Sequence, residues 1–157
     1  MFDTGLRRIR LSPSERQFVP RHWPLPRRLT DLLRTEPNVR LAVLYGSLAR
    51  GEECEESDLD LLVRLRDDGY VARAKLVDRF GAATGRRVQL VSVEQAEEAP
   101  LLLADALRDG RVLVDRDRAW PELKRREPEI VHEARTEDDR LEREAWAVLE
   151  TLGDRRR

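Results

Sequence analysis

The sequence predicts an α+β fold: a small mixed β-sheet of about four strands with helices packed on it, plus a C-terminal helix. Three observations carry that expectation. Two apolar runs, Val39 to Tyr45 and Asp58 to Leu65, have the length and composition of strands. Between the second run and a third, Arg87 to Val93, apolar residues recur at helical spacing over Tyr70 to Thr84. Helix punctuation then follows in close order: Ser92 with Gln95, Pro100, and Gly110. At 157 residues the chain has room for one domain with a real core, not for two large ones.

Taken in order, residues 1–28 read as an irregular basic arm. Pro13, Pro20, Pro24 and Pro26 punctuate it, and seven Arg stand against Asp3 and Glu15. It is expected either to pack loosely on the domain or to touch a partner or nucleic acid. Thr30 is placed to cap a short helix ending before Pro37. Val39 to Tyr45 forms the first strand, and a helix begins at the Gly46-Ser47 turn. The helix over Tyr70 to Thr84 should turn Val71, Ala74, Leu76, Val77 and Phe80 inward, with Gly85 as its C-cap. Ser92 and Gln95 fit a capping box. Pro100 suits the first turn of a helix running to Asp109, and Val112 to Val114 is a short fourth strand. Residues 29–118 are thus expected to form the domain and 119–157 a charged helical extension. In that extension Leu141, Ala145, Val148, Leu149 and Leu152 make one apolar stripe, to be buried on the domain or against a partner helix.

Composition excludes several classes. With 30 basic and 31 acidic residues, overall charge does not call for a polyanionic partner. A single Cys54 rules out an intramolecular disulfide and suits a reducing compartment. The N-terminus shows no signal-peptide pattern, and no apolar run approaches the roughly 18 residues of a membrane span. A soluble, cytoplasmic protein without a membrane partner is expected.

The chemistry concentrates in one stretch. An apolar strand runs into Gly46-Ser47; ten residues separate Ser47 from Asp58, and Asp58-Leu59-Asp60-Leu61-Leu62-Val63 follows. Residues i and i+2 of a strand share a face, roughly 6–7 Å apart along the chain. Two carboxylates so placed can converge on a hard, oxygen-liganded cation such as Mg²⁺. As an ordinary solvated strand face the pair would mean little; its spacing from Gly-Ser is what singles it out.

From Val39 to about Arg118 the chain resembles the minimal nucleotidyltransferases of the DNA polymerase β-like superfamily, including the MNT-type antitoxins. The motif that carries the resemblance is Gly46-Ser47-x-x-x-Gly51, then Ser57-Asp58-x-Asp60-Leu61; Gly110 to Asp115 also looks like the close of the family's small domains. The resemblance implies that Asp58 and Asp60 are catalytic and hold Mg²⁺ on the phosphates of a nucleoside triphosphate, most plausibly ATP. Gly46 would let backbone approach a phosphate, Ser47 would offer a hydroxyl and an N–H, and Arg50 would neutralise phosphate charge. The implied reaction transfers AMP to a hydroxyl of a partner, in this family often a HEPN-type toxin. In such enzymes a third carboxylate on the following strand completes a two-metal site and activates the attacking hydroxyl.

Here the sequence departs from the family pattern. The third position falls on Gln89, whose neutral amide can ligate weakly but cannot take a proton. Loss of a positioned base costs on the order of 10²–10⁴ in rate. Glu94 and Asp115 are the candidate replacements; strand alternation puts Glu94 on the opposite face, where it suits a helix first turn. An alternative of another class follows, a catalytically degenerate module that binds nucleotide or masks a partner protein. Transfer to a small molecule such as an aminoglycoside fits less well, because those enzymes usually carry a larger second domain. The acidic loop Glu52, Glu53, Glu55, Glu56 disfavours nucleic acid as the acceptor. His22 and His132 lack the partners of a zinc site. Arg126 and His132 match the spacing of a HEPN ribonuclease motif, but Pro128 lies between them. No P-loop is present.

Overall fold

The computed structural model describes residues 27–52 and 57–154. The expectations for the N-terminal arm up to Pro26, for Cys54 and for most of the acidic loop lie outside those residues. A first helix, α1 (Arg27–Thr35), leads into the central strand β1 (Val39–Tyr45). Leu29 and Leu33, one turn apart, are both fully buried, so the helix must already be formed at Leu29. Thr30 therefore sits inside α1 and does not cap it.

The chain continues through α2 (Gly46–Arg50), β2 (Leu59–Leu65), α3 (Tyr70–Thr84), β3 (Val88–Ser92), α4 (Val93–Glu97), α5 (Pro100–Asp109) and β4 (Arg111–Asp115). The four strands form one sheet in the order β3-β2-β1-β4. β1 is antiparallel to both neighbours, whereas β2 and β3 run parallel, joined by the α3 crossover. The mixed α+β architecture is the one the sequence predicts. β1 is buried on both faces, which is why Leu41 to Tyr45 is apolar without alternation.

One face of the sheet carries Ala42, Leu44, Leu59, Leu61 and Val63 against Leu29 and Leu33 of α1 and Leu76 and Phe80 of α3. The other carries Leu41, Val43 and Leu62 against Val93, Leu103, Leu107 and Ile130. The inward face of α3 begins at Leu76; Val71, expected inside, is 63% exposed because it lies a turn ahead of the core. Gly85 caps α3 at φ +68°, a left-handed conformation that favours glycine. The capping box forms as predicted: Gln95 N–H donates to Ser92 Oγ at 3.1 Å, and Ser92 N–H to Gln95 Oε1 at 3.1 Å. Pro100 opens α5.

Beyond the sheet come α6 (Ala119–Arg125) and α7 (Glu127–Asp154), with Pro128 in the first turn of α7, where no N–H is needed. Ile130 and Ala134 are buried where α7 crosses α5. The 28 residues of α7 outrun the ten of α5, roughly 42 Å against 15 Å at helical rise. The distal stripe therefore has no domain surface beneath it: Leu141 is 43% exposed, and Val148, Leu149 and Leu152 more than half. No described helix is long and apolar enough to cross a membrane.

Candidate active site

The site begins where β1 turns sharply into α2. Gly46 adopts φ +76° and Gly51, which ends the five-residue helix, φ +74°. Between them Leu48 and Ala49 plug into the core, so the short helix is pinned to the sheet. Gly46 is required twice over. Its φ penalises any side chain, and a Cβ built on it would lie 2.6 Å from Asp60 Oδ2. The turn and the second acid of the motif are therefore packed directly on each other. Ser47 is half-buried beside Gly46 at the start of α2.

Pairing of β1 with β2 sets Tyr45 opposite Asp60. Leu59, between the two acids, is fully buried, which pins the strand so that Asp58 and Asp60 share the other face. Asp60 is half-buried, and its carboxyl is held above the ordinary range, by burial first and then by the charge of Asp58. Burial, and then the Asp60 charge, pushes the Tyr45 phenol up to about 12. Like charges held side by side at a partly desolvated corner favour a bound cation.

The parallel pairing of β2 with β3 settles the register that the sequence left open. Asp60 lies beside Gln89, and Leu59 N–H donates to Arg87 O at 2.8 Å. Gln89 is exposed, on the same face as the two acids. The amide thus stands beside the two acids. Neither candidate replacement reaches it. Glu94, in the first turn of α4, is 3.6 Å from Arg64, further along β2. Asp115 pairs across with Leu41, at the opposite end of β1 from Tyr45, and accepts hydrogen bonds from Ala119 N–H and Trp120 N–H. Among the described residues no three His, Cys, Asp or Glu cluster as a metal site.

Arg50 sits at the far end of α2, 2.8 Å from Glu52 and 3.8 Å from Asp109. It lines a crevice of about 290 Å³ with Arg108, Asp109, Gly110 and Arg111, so two carboxylates already compensate it. A larger groove of about 610 Å³, lined by Glu36, Asn38, Asp67, Lys75 and Arg79, contains none of the motif residues. Arg126 closes α6 and pairs with Glu97 at 2.6 Å, off the helix that carries His132. One contributor escaped sequence reasoning. Arg87 Nη2 donates to Asp58 Oδ2 at 3.0 Å. Counting back two residues from Gln89 along the strand would have found it.

A family model described as "Polymerase beta, Nucleotidyltransferase" matches residues 27–119, more than half of the chain. The chain belongs to the polymerase β nucleotidyltransferase family. It is 30% identical over 69 residues to "Putative protein adenylyltransferase MJ1379" of Methanocaldococcus jannaschii, spanning 42% of this chain and 69% of that protein. Its fold is also that of solved toxin–antitoxin structures. One, a toxin–antitoxin with AMP-PNP, superposes with a TM-score of 0.59 at 21% identity, over 76% of this chain and 94% of the other. A second contains a tri-AMPylated HEPN toxin of Shewanella oneidensis in complex with an MNT antitoxin; the TM-score is 0.56 at 20% identity, over 76% and 93% of the two chains. As a nucleotidyltransferase-family domain, the present chain has two carboxylates and an amide on the face that bears its motif.

Proposed function

We propose that this chain transfers AMP from Mg·ATP to a hydroxyl group on a partner protein, with Asp58 and Asp60 holding the cation that accompanies the nucleotide. The observation that carries the reading is the packing of Gly46 on Asp60, which brings a side-chain-free turn and the two acids together at one corner. Two hard oxygen donors at a corner where Asp60 is already reluctant to be charged fit one divalent cation. When bound, that cation supplies neutralisation of phosphate charge. Gly46 leaves room for the Asp60 carboxylate to lie against the turn, and Ser47 offers a hydroxyl beside it. Tyr45, buried and kept protonated, supports Asp60 from β1 without taking part in proton transfer at neutral pH. Asp58 is steadied by Arg87, the residue just ahead of β3.

The name of the archaeal relative and the AMPylated toxin in the Shewanella complex support a protein acceptor of HEPN type. So does α7, whose distal apolar stripe the described domain leaves uncovered. A second reading is favoured by Gln89: a module that binds Mg-nucleotide, or masks its partner, with little or no turnover. One experiment separates the two. The protein is incubated with Mg²⁺ and ATP labelled in the α-phosphate, with and without the product of the adjacent reading frame. Label on that product, lost in Asp58→Ala and Asp60→Ala, supports transfer. A stable complex that never acquires label and ignores both substitutions overturns it.

A further inference from the structure

Beside Asp58 and Asp60 lie Arg87, just ahead of β3, and Gln89 within it, so four side chains form a two-by-two patch. A site with a third carboxylate would present three negative charges to its cations. This patch presents two, and adds one guanidinium. Asp58 Oδ2 accepts from Arg87 Nη2 at 3.0 Å, which occupies one of the oxygens that a second cation would need. Gln89 offers only a neutral carbonyl oxygen in place of the bridging acid. Arginine does not deprotonate in proteins, so the added positive charge is present at every working pH. A unit charge a few ångströms from a dication shifts its affinity several-fold in water, and less as salt screens it, since the Arg87 side chain is 78% exposed.

We infer that the site takes a single divalent cation, the one that accompanies the nucleotide, and that the Arg87 guanidinium on Asp58 disfavours a second. Arg87 is a positioning residue in this account: it orients Asp58 and excludes the second ion. Acceptor activation then cannot rely on a second metal. The inference rests on the assignment of Asp58 and Asp60 to a Mg-nucleotide, and the test keeps the two apart.

The test counts Mn²⁺ by electron paramagnetic resonance in the full chain with saturating AMP-PNP. One Mn²⁺ per chain is expected in the wild type. Two magnetically coupled ions are expected in the double variant Arg87→Ala/Gln89→Asp, which restores the third acid and removes the cation. Arg87→Ala alone should tighten Mn²⁺ binding without nucleotide several-fold at low salt, and less at high salt. Two ions in the wild type, or unchanged Mn²⁺ affinity in Arg87→Ala, overturns the inference while leaving the nucleotide site intact. No Mn²⁺ in the wild type removes the site assignment itself.

Discussion

Substituting Gly46 by alanine tests the corner on which the functional reading stands. At φ +76° an alanine pays about 1–2 kcal/mol for the left-handed conformation alone. Gly51→Ala supplies the matching control, because Gly51 has φ +74° and open space where its Cβ would go. Both variants should therefore lose about 1–2 kcal/mol, seen as a melting temperature lower by a few degrees. Only Gly46→Ala should also disturb the site. Its Cβ would stand 2.6 Å from Asp60 Oδ2, closer than real Cβ contacts, so the carboxylate has to retreat by most of an ångström. A misplacement of that size costs on the order of 10²-fold in rate. Thermal melts, Mg·AMP-PNP affinity and label transfer on both variants make the comparison. Equal loss of stability with nucleotide affinity and transfer intact in Gly46→Ala would refute the claim that this turn and Asp60 form one site.

Asp60 should set a pH dependence of stability. Its folded carboxyl is raised by burial and by Asp58, so its contribution is full below the unfolded value and is lost as pH rises through the folded one. Asp60→Asn should thus melt higher than the wild type at pH 7, with the gain closing on acidification; a gain that grows toward low pH would contradict the sign. Gln89→Asp should raise the transfer rate by up to about 10²–10⁴ if the missing base limits turnover, measured with labelled ATP and acceptor. Unchanged turnover would place the limit elsewhere. On α7, Leu149→Glu should leave the free energy of unfolding within about 0.5 kcal/mol of the wild type while abolishing acceptor capture, since Leu149 is 58% exposed. Leu107→Ala, in the core, should cost about 2–5 kcal/mol.

Much of this was legible in the chain because local signals and tertiary demands agree. The apolar run Leu41 to Tyr45 announced a strand, and the structure buries it on both sides. Ser92 and Gln95, and Pro100, marked the starts of α4 and α5 through hydrogen bonds or a missing donor that any helix start requires. What the sequence could not supply depends on register and on neighbours. Thr30 resembles a cap until the burial of Leu29 is known. Val71 has helical spacing, yet the core begins a turn later. The stripe on α7 has the pattern of a packed face, but α5 is too short to lie under it. Arg87 is one of many arginines until the parallel pairing of β2 with β3 sets it on Asp58. The same pairing shows that Gln89 is the true neighbour of Asp60, which periodicity alone left uncertain by a residue or more.

Calorimetric titration of Mg·AMP-PNP into the wild type, Asp58→Asn and Asp60→Asn bears most directly on the claim that this corner is a nucleotide site. One molecule bound per chain is predicted, with affinity that depends on Mg²⁺ and is lost in both variants while their melting transitions persist. Nucleotide binding that survives in Asp60→Asn, or that needs no divalent cation, would contradict it.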